Sequence, residues 1–322
     1  MSGPTLVSTF AGCGGSSLGY KWAGYEEKLA IDFDDNAVAT FALNFPGVPV
    51  WKRDICEVSP KEVLAATGLE KGGLDLLDGS PPCQGFSTAG KRVISDSRNI
   101  LFLEFVRFIK ELEPRVFVME NVPGMTIGPM KGMFVWILRT LKETGYSVRV
   151  KKMNAKWYGV PQNRERIIFI GMRSGENPPF PEPGRKVITV REAFEGLPDL
   201  PGHTLGAATT LLWKRALPGT PFSNYHPKGH FFNLSKVHPD KPAPVILKHV
   251  SKTGYAGLAH WKYPRMLTIP ELKRVSSFPD DFQFIGKFEE QWARIGNAVM
   301  PRFMYHIAKA IKERVFDAGK TA

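Results

Sequence analysis

From Thr5 to Met172 the chain alternates between short apolar runs of strand length and longer stretches with helical spacing. The apolar runs are Thr5–Phe10, Leu29–Asp32, Leu74–Asp78, Val116–Glu120, Ser147–Met153 and Arg166–Met172. Between them the spacing predicts helices over Asp34–Leu43, Pro60–Ala66, Ile100–Leu112 and Lys131–Thr144. In the third of these, Leu101, Phe105, Phe108 and Leu112 fall on one face, and Pro114 closes the helix. Parallel strands cannot be joined by tight hairpins and need crossover segments, usually helices. The alternation therefore predicts an α/β fold with a largely parallel sheet covered on both faces.

The pattern stops near residue 174. Prolines at 178, 179, 181 and 183 mark a linker, and from there to about 265 Gly, Pro and His are frequent and helical periodicity is poor. This stretch reads as loop-rich with short strands. A last helix is expected over Val299–Val315, after Gly296-Asn297. With 322 residues, one large domain or two are expected. The division expected is a discontinuous sheet domain, 1–180 plus 292–322, interrupted by a second domain at 181–291. No apolar run is long enough for a membrane span, and the N-terminus lacks a charged segment followed by an apolar one. Cys13, Cys56 and Cys83 are widely spaced and form no C-x-x-C, so neither a disulfide framework nor a metal site is expected, and a cytoplasmic setting fits.

Charge is distributed unevenly. The net charge is +12, which favours a polyanionic partner. Yet residues 1–50 hold two basic side chains against five acidic ones, whereas 210–275 hold eleven basic against two acidic. The basic window also contains five of the seven histidines and many aromatic rings. One end suits a cationic ligand and the later segment a polyanion.

The first strand runs into Phe10-Ala11-Gly12-Cys13-Gly14-Gly15, and Asp32 ends the second strand twenty residues after Gly12. Glycines there permit a tight turn and close approach of a ligand to a helix N-terminus, and the acid suits ribose hydroxyls. The dinucleotide fingerprint would need glycine at position 17, where the chain has Ser17, and the P-loop lysine is absent. The turn is either an ordinary strand–helix connection or the seat of an adenosine-type ligand. Asp32 favours the second.

Two later strands end in reactive side chains. Leu74–Asp78 leads into Gly79-Ser80-Pro81-Pro82-Cys83-Gln84-Gly85-Phe86-Ser87, and Val116 leads to Glu120-Asn121-Val122. Ligands of open α/β sheets sit at the carboxyl ends of strands. A thiol there is a candidate nucleophile and a carboxyl a candidate general acid. Cys13 and Cys56 read as structural cysteines, the usual fate of a lone cysteine.

With these motifs in this order, the chain resembles the DNA cytosine-5 methyltransferases of the bacterial restriction-modification type, over almost its whole length. The resemblance implies a Rossmann-like S-adenosylmethionine-dependent sheet domain and a smaller, loop-rich target-recognition domain with its hinge at 181–291. It implies S-adenosyl-L-methionine as cofactor, held by Phe10, Ala11, Gly12, Cys13, Gly14, Gly15, Asp32, Phe33, Asp54, Ile55, Leu101, Asn297 and Ala298. Within this set Asp32 would hold ribose, Phe33 would stack on adenine where tryptophan is frequent, and Asp54-Ile55 would contact adenine. Cys83, Glu120, Arg164 and Arg166 correspond to the catalytic set, the two arginines lying in Gln162-Asn163-Arg164-Glu165-Arg166. Asp96–Leu101, Arg265–Glu271 and Gly296–Val299 resemble further family motifs. The implied reaction is methylation at C5 of a flipped-out cytosine in duplex DNA, through a covalent bond from Cys83 to C6. DNA contacts are expected from Gln84, Ser87, Lys91, Arg98, Lys248 and Lys252. No metal is implied. The chain is expected to act as a monomer associated with the nucleoid, with a cognate restriction endonuclease related genetically and not as a complex.

Other readings differ in what they leave unexplained. The same chemistry on transfer RNA is the alternative. The common RNA family places its nucleophile in a Thr-Cys element at the later strand, where this chain has Glu120-Asn121, and the DNA-like family acting on transfer RNA carries Cys-Phe-Thr, absent here. A nucleotide-dependent oxidoreductase fails at Ser17, and a non-catalytic DNA-binding module leaves Cys83 and Glu120 without a role.

Overall fold

The computed structural model describes residues 3–82, 100–229, 233–251 and 256–318. Seven strands form one sheet: β1 (Thr5–Thr9), β2 (Glu26–Asp32), β3 (Val50–Lys52), β4 (Leu76–Gly79), β5 (Val116–Asn121), β6 (Ser147–Asn154) and β7 (Glu165–Met172). Their order is β3-β2-β1-β4-β5-β7-β6. Helices α1 (Gly15–Trp22), α2 (Asp35–Asn44), α3 (Pro60–Thr67), α4 (Ile100–Leu112) and α5 (Lys131–Lys142) connect them. Strands β3 to β5 run parallel through β2, β1 and β4, while β7 is antiparallel to β5. The expected sheet is present. Sequence reading missed β3, which has three residues and is too short for a periodicity signal.

Local chemistry accounts for the helix starts. Ser59 and Glu62 form a capping box with Pro60 at the first turn of α3, and Gly68 ends that helix in the left-handed region at φ 68°. Asp34 caps α2 by accepting from the Ala37 N–H at 2.9 Å.

Strands β4 and β5 are buried along their whole length, as a sheet covered on both faces requires. Side chains alternate between those faces. Val7, Leu77, Phe117 and Phe169 join a core built with Phe105 and Phe108 of α4 and Ile137 and Leu141 of α5.

The chain forms two compact units. The first comprises 1–153, 165–181 and 305–322 and contains the sheet; the second comprises 154–164 and 182–304. The sequence division at 180/181 and 291/292 thus differs from these limits, most visibly in assigning 154–164 and 292–304 to the sheet domain. The second unit has a parallel pair, β8 (Asn233–Lys236) and β9 (Ala256–Ala259). It also has short helices α6 (Val190–Phe194), α7 (Ala207–Arg215), α8 (Ile269–Val275) and α9 (Phe288–Asn297). These have five to ten residues, and α6 and α7 lie where the sequence, rich in Gly, Pro and His, reads as loops. The last helix, α10, covers Pro301–Ile311 and continues as a wider helical turn over Lys312–Phe316, close to the stretch expected from sequence.

The antiparallel β5–β7 pairing sets Gly171 opposite Phe117. A Cβ on Gly171 would lie 2.0 Å from the Phe117 ring, deep in the core. Gly171→Ala is expected to cost about 1–3 kcal/mol, the usual scale of overpacking. Urea unfolding checks this; an unchanged midpoint would show that the ring can yield.

Candidate active site

The sheet order reverses between β1 and β4, so the loops leaving these neighbours emerge side by side, with Thr9 paired to Gly79. Such a switch point is where open α/β sheets bind ligands.

The loop after β1 is strongly shaped. Phe10, Gly12 and Gly14 have φ of 54°, 56° and 90°. The left-handed region is uncommon for a residue with a side chain, so Phe10 is a strained position. The Asp32 carboxylate braces this loop, accepting from the Gly12 N–H at 2.8 Å and from the Asp34 N–H at 3.0 Å. The two glycines serve different ends. A Cβ on Gly14 would strike the Phe45 ring at 2.4 Å, whereas one on Gly12 would meet nothing within 4 Å. Gly14 therefore admits a packing partner, and Gly12 leaves open space over the loop. Ala11 is half-buried, Cys13 is buried, and Gly15 opens α1.

Phe33, beside Asp32, is 70% exposed, unusual for a large apolar ring. Asp54 accepts from the Cys56 N–H at 2.9 Å and so caps the turn holding buried Ile55. Arg107 secures that turn through the Ile55 and Val58 carbonyls at 3.2 and 2.9 Å. Leu101 packs half-buried against the core.

The end of β4 is tied to both neighbouring strands. The Thr9 hydroxyl donates to the Asp78 carbonyl at 3.0 Å, and the Ser80 hydroxyl to the Phe10 carbonyl at 3.3 Å. From β5, the Asn121 amide donates to the Pro81 carbonyl at 3.1 Å. Glu120 precedes that asparagine, is 9% exposed, and its carboxylate pairs with the Arg166 guanidinium. Because β7 runs antiparallel, its N-terminal end, which carries Arg166, lies beside the C-terminal end of β5. Arg166 also donates to the Glu165 carbonyl at 2.7 Å.

Cys83, Gln84, Ser87, Lys91, Arg98 and Lys252 lie outside the described residues. Cys83 is the residue after Pro82 in the chain. Arg164, grouped with the catalytic residues by sequence, belongs to the second unit. Its buried guanidinium donates to the Ile246 and Gly296 carbonyls at 3.0 and 2.7 Å. Asn297 and Ala298 also belong to the second unit, at the end of α9, and Lys248 there is exposed.

Part of the basic, aromatic window is interior. Phe222, Lys236, His260, Arg265 and Lys273 are buried. Lys236 donates to the Trp213 and Ala216 carbonyls at the end of α7, both at 3.1 Å. Arg265 grips Glu271 through two bonds of 2.8 Å, and Glu271 also caps α8 through the Thr268 N–H at 2.7 Å. Burial pulls the adjacent His260 imidazole down to about 4, against the attraction of Glu271. The exposed cations of the window among the described residues are Lys214, Arg215, Lys228, Lys241, Lys248 and Lys262. Composition could not separate these from the interior ones.

Sequence reading also passed over Asp78. This buried acid accepts from the Tyr20 hydroxyl at 3.0 Å, and Ser16 bonds it as well. Burial pushes its carboxyl up to about 8. An acid inside an otherwise apolar strand was the available signal. The folded protein holds this proton, whereas an unfolded aspartate releases it near its ordinary 3.8. The stabilising contribution is therefore complete below about pH 4 and lost as pH rises towards about 8. Asp78→Asn keeps an acceptor for Tyr20 without the ionisation. It is expected to flatten the decline of stability across that window in denaturation series; an unchanged slope would assign the decline to other groups.

Among the described residues, no group of three or more His, Cys, Asp or Glu side chains could hold a metal, and no helix is long and apolar enough to cross a membrane.

Comparison with known proteins gives a consistent result. The family model for C-5 cytosine-specific DNA methylases matches residues 5–313. The Type II methyltransferase M1.HphI of Haemophilus parahaemolyticus is 34% identical, over 95% of this chain and 86% of its own length. M.DdeI of Desulfomicrobium norvegicum, also a Type II methyltransferase, is 33% identical over 96% and 88%. Among solved structures, a prophage-encoded E. coli protein assigned as a DNA modification methyltransferase aligns with a TM-score of 0.75 at 25% identity, covering 96% of this chain and 99% of that one. Spodoptera frugiperda DNMT2 shares the fold at a TM-score of 0.70 and 18% identity, over 96% and 99%.

Proposed function

The chain belongs to the C-5 cytosine-specific DNA methylase family, and from that membership we propose that it methylates C5 of a flipped-out cytosine in a specific duplex sequence, through a covalent Cys83–C6 bond. Its enzyme class follows from the family: it is a DNA cytosine-5 methyltransferase. The observation that carries the finer reading is the buried Glu120–Arg166 pair, one residue from the Asn121 amide that holds Pro81. The acid and the strand leading to Cys83 are thereby fixed to each other.

The residues of the β1 loop fit S-adenosyl-L-methionine as methyl donor. Gly12 leaves open space over the loop, Asp32 presents a carboxylate at its edge, and Phe33 offers a bare ring. The acidic character of residues 1–50 suits a cationic ligand. Phe10 to Gly15, Asp32, Phe33, Asp54, Ile55 and Leu101 would hold the group, joined by Asn297 and Ala298. When bound, it supplies an electrophilic sulfonium methyl.

Cytosine C5 is a weak nucleophile within an aromatic ring. Bond formation from the Cys83 sulfur to C6 interrupts the aromatic system and makes C5 enamine-like. Glu120 hydrogen-bonds or protonates N3, relieving the charge that develops in the ring. Arg166 orients Glu120 and reaches the cytosine O2. Once C5 carries the methyl group it loses its proton, the ring electrons return, and the sulfur–C6 bond breaks. None of this can occur inside a base stack, so the cytosine must leave the helix. The names of the relatives support a place in a restriction-modification system. The proposed acting form is a monomer, with any cognate endonuclease a separate protein.

Duplex DNA carrying 5-fluorocytosine at the target tests the covalent step, because fluorine cannot leave as a proton. A denaturation-resistant adduct is expected with wild type plus cofactor. Cys83→Ala should form none, should not methylate, and should still bind DNA. An adduct with Cys83→Ala would move the nucleophile elsewhere. Parallel assays on transfer RNA should show no transfer.

Glu120→Gln retains shape but not the acid. A loss of turnover of about 10²–10⁴-fold is expected, the ordinary scale of acid–base catalysis. Single-turnover kinetics with near-normal rates would remove Glu120 from the mechanism.

A further inference from the structure

Residues 244–249 of the second unit have no regular secondary structure, so their main-chain polar atoms need partners from elsewhere. Two consecutive carbonyls are served by the buried interior. The Ile246 carbonyl accepts from Arg164 at 3.0 Å, and the Leu247 carbonyl accepts from the Trp292 indole at 2.9 Å. Gly296 closes the gap behind them, since a Cβ there would lie 2.7 Å from the Leu247 oxygen. Just upstream, the Ala243 N–H donates to the Pro161 carbonyl at 2.9 Å, and the Asn163 N–H to the Ala243 carbonyl at 2.8 Å. The main chain is thus held along most of its length.

The side chains behave oppositely. Ile246 is an anchor at 1% exposure, but Val245 and Leu247 are 37% and 47% exposed, and Lys248 and His249 are exposed as well. A fixed backbone that projects apolar, cationic and imidazole side chains outwards is poorly explained by stability. It has the properties of a reading edge.

We propose that residues 245–249 form a base-reading edge for the target duplex, with Leu247 and His249 determining sequence choice, Lys248 holding a phosphate, and Arg164 positioning the segment. The inference rests on the proposed function and deepens it. Apolar side chains discriminate at the thymine methyl and imidazoles at base-edge donors and acceptors, while lysines on phosphates fix register without reading sequence. Base readout tolerates little positional error, and the buried clamps supply the needed rigidity. Arg164 suits the clamp because its planar fork spans two carbonyls from separate segments, Ile246 and Gly296. A lysine presents one donor atom where Arg164 uses two separate nitrogens.

Bisulfite sequencing of DNA from cells expressing the wild type identifies the target. Wild type, Leu247→Ala, His249→Ala, Lys248→Ala and Arg164→Lys are then compared on target duplexes and on duplexes with one base pair changed. Leu247→Ala and His249→Ala should each reduce discrimination at one base pair by about 5- to 150-fold, the equivalent of ~1–3 kcal/mol, with affinity for unrelated duplex unchanged. Lys248→Ala should weaken binding to all duplexes alike and lower the salt slope by about one. Arg164→Lys should lose discrimination at the same base pairs while calorimetry shows wild-type affinity for S-adenosyl-L-methionine. A merely structural arginine would not produce that base-pair pattern. Unchanged discrimination in both Leu247→Ala and His249→Ala overturns the proposal, whatever the folding of the buried variant. A wild type that methylates no cytosine overturns the proposed function, and this inference with it.

Discussion

The hydrogen bond from the Asn121 amide to the Pro81 carbonyl is the constraint on which the candidate active site depends. A strand end is otherwise free to splay, because its last residues have no ladder partner. Here the end of β4 and the segment beyond it are held from β5 by Asn121 and from the β1 side by Thr9 and by the Phe10 carbonyl, which accepts from Ser80. Its position is therefore set by the sheet on both sides. The loop that would seat the cofactor and the segment that runs to the thiol descend from adjacent strands at the reversal of strand order. Their proximity is a property of topology, and the side-chain bonds remove the residual freedom.

The antiparallel strand β7 supplies what parallel strands cannot. Five parallel strands present all their C-terminal ends along one edge, which gathers acids and thiols there. An arginine at the start of a strand would fall at the opposite edge if that strand were also parallel. Reversal of β7 delivers Arg166 to the Glu120 edge, and both are buried, so neither charge is diluted by solvent. A buried carboxylate needs such a partner. The reversal thus serves the chemistry as well as the packing.

The second unit shows why a charge count is a weak guide to a binding surface. Its interior contains cations with structural work: Lys236 at the end of a helix, Arg265 on Glu271, Arg164 on two carbonyls. Loop-rich domains leave many main-chain acceptors outside ladders, and long cationic side chains are effective donors to them. The cations that remain on the surface are those available to an anionic partner.

The strand–helix alternation, the glycine turn with Asp32, and the Pro-Pro-Cys and Glu-Asn-Val strand ends were all legible in the sequence, because each is a local pattern with a local cause. Periodicity reports which face of an element is buried, and short motifs report turn chemistry. Strand β3 was not legible, being too short for a period to establish itself, and helices α6 to α9 were hidden among frequent Gly and Pro. Three further matters belonged to tertiary structure alone. The pairing of Arg166 with Glu120 joins residues 46 positions apart through the direction of one strand. The partners of Arg164 are carbonyls 82 and 132 positions away, at Ile246 and Gly296. The raised Asp78 carboxyl depends on burial beneath α1. Each follows from burial and through-space partners, which a linear pattern does not encode.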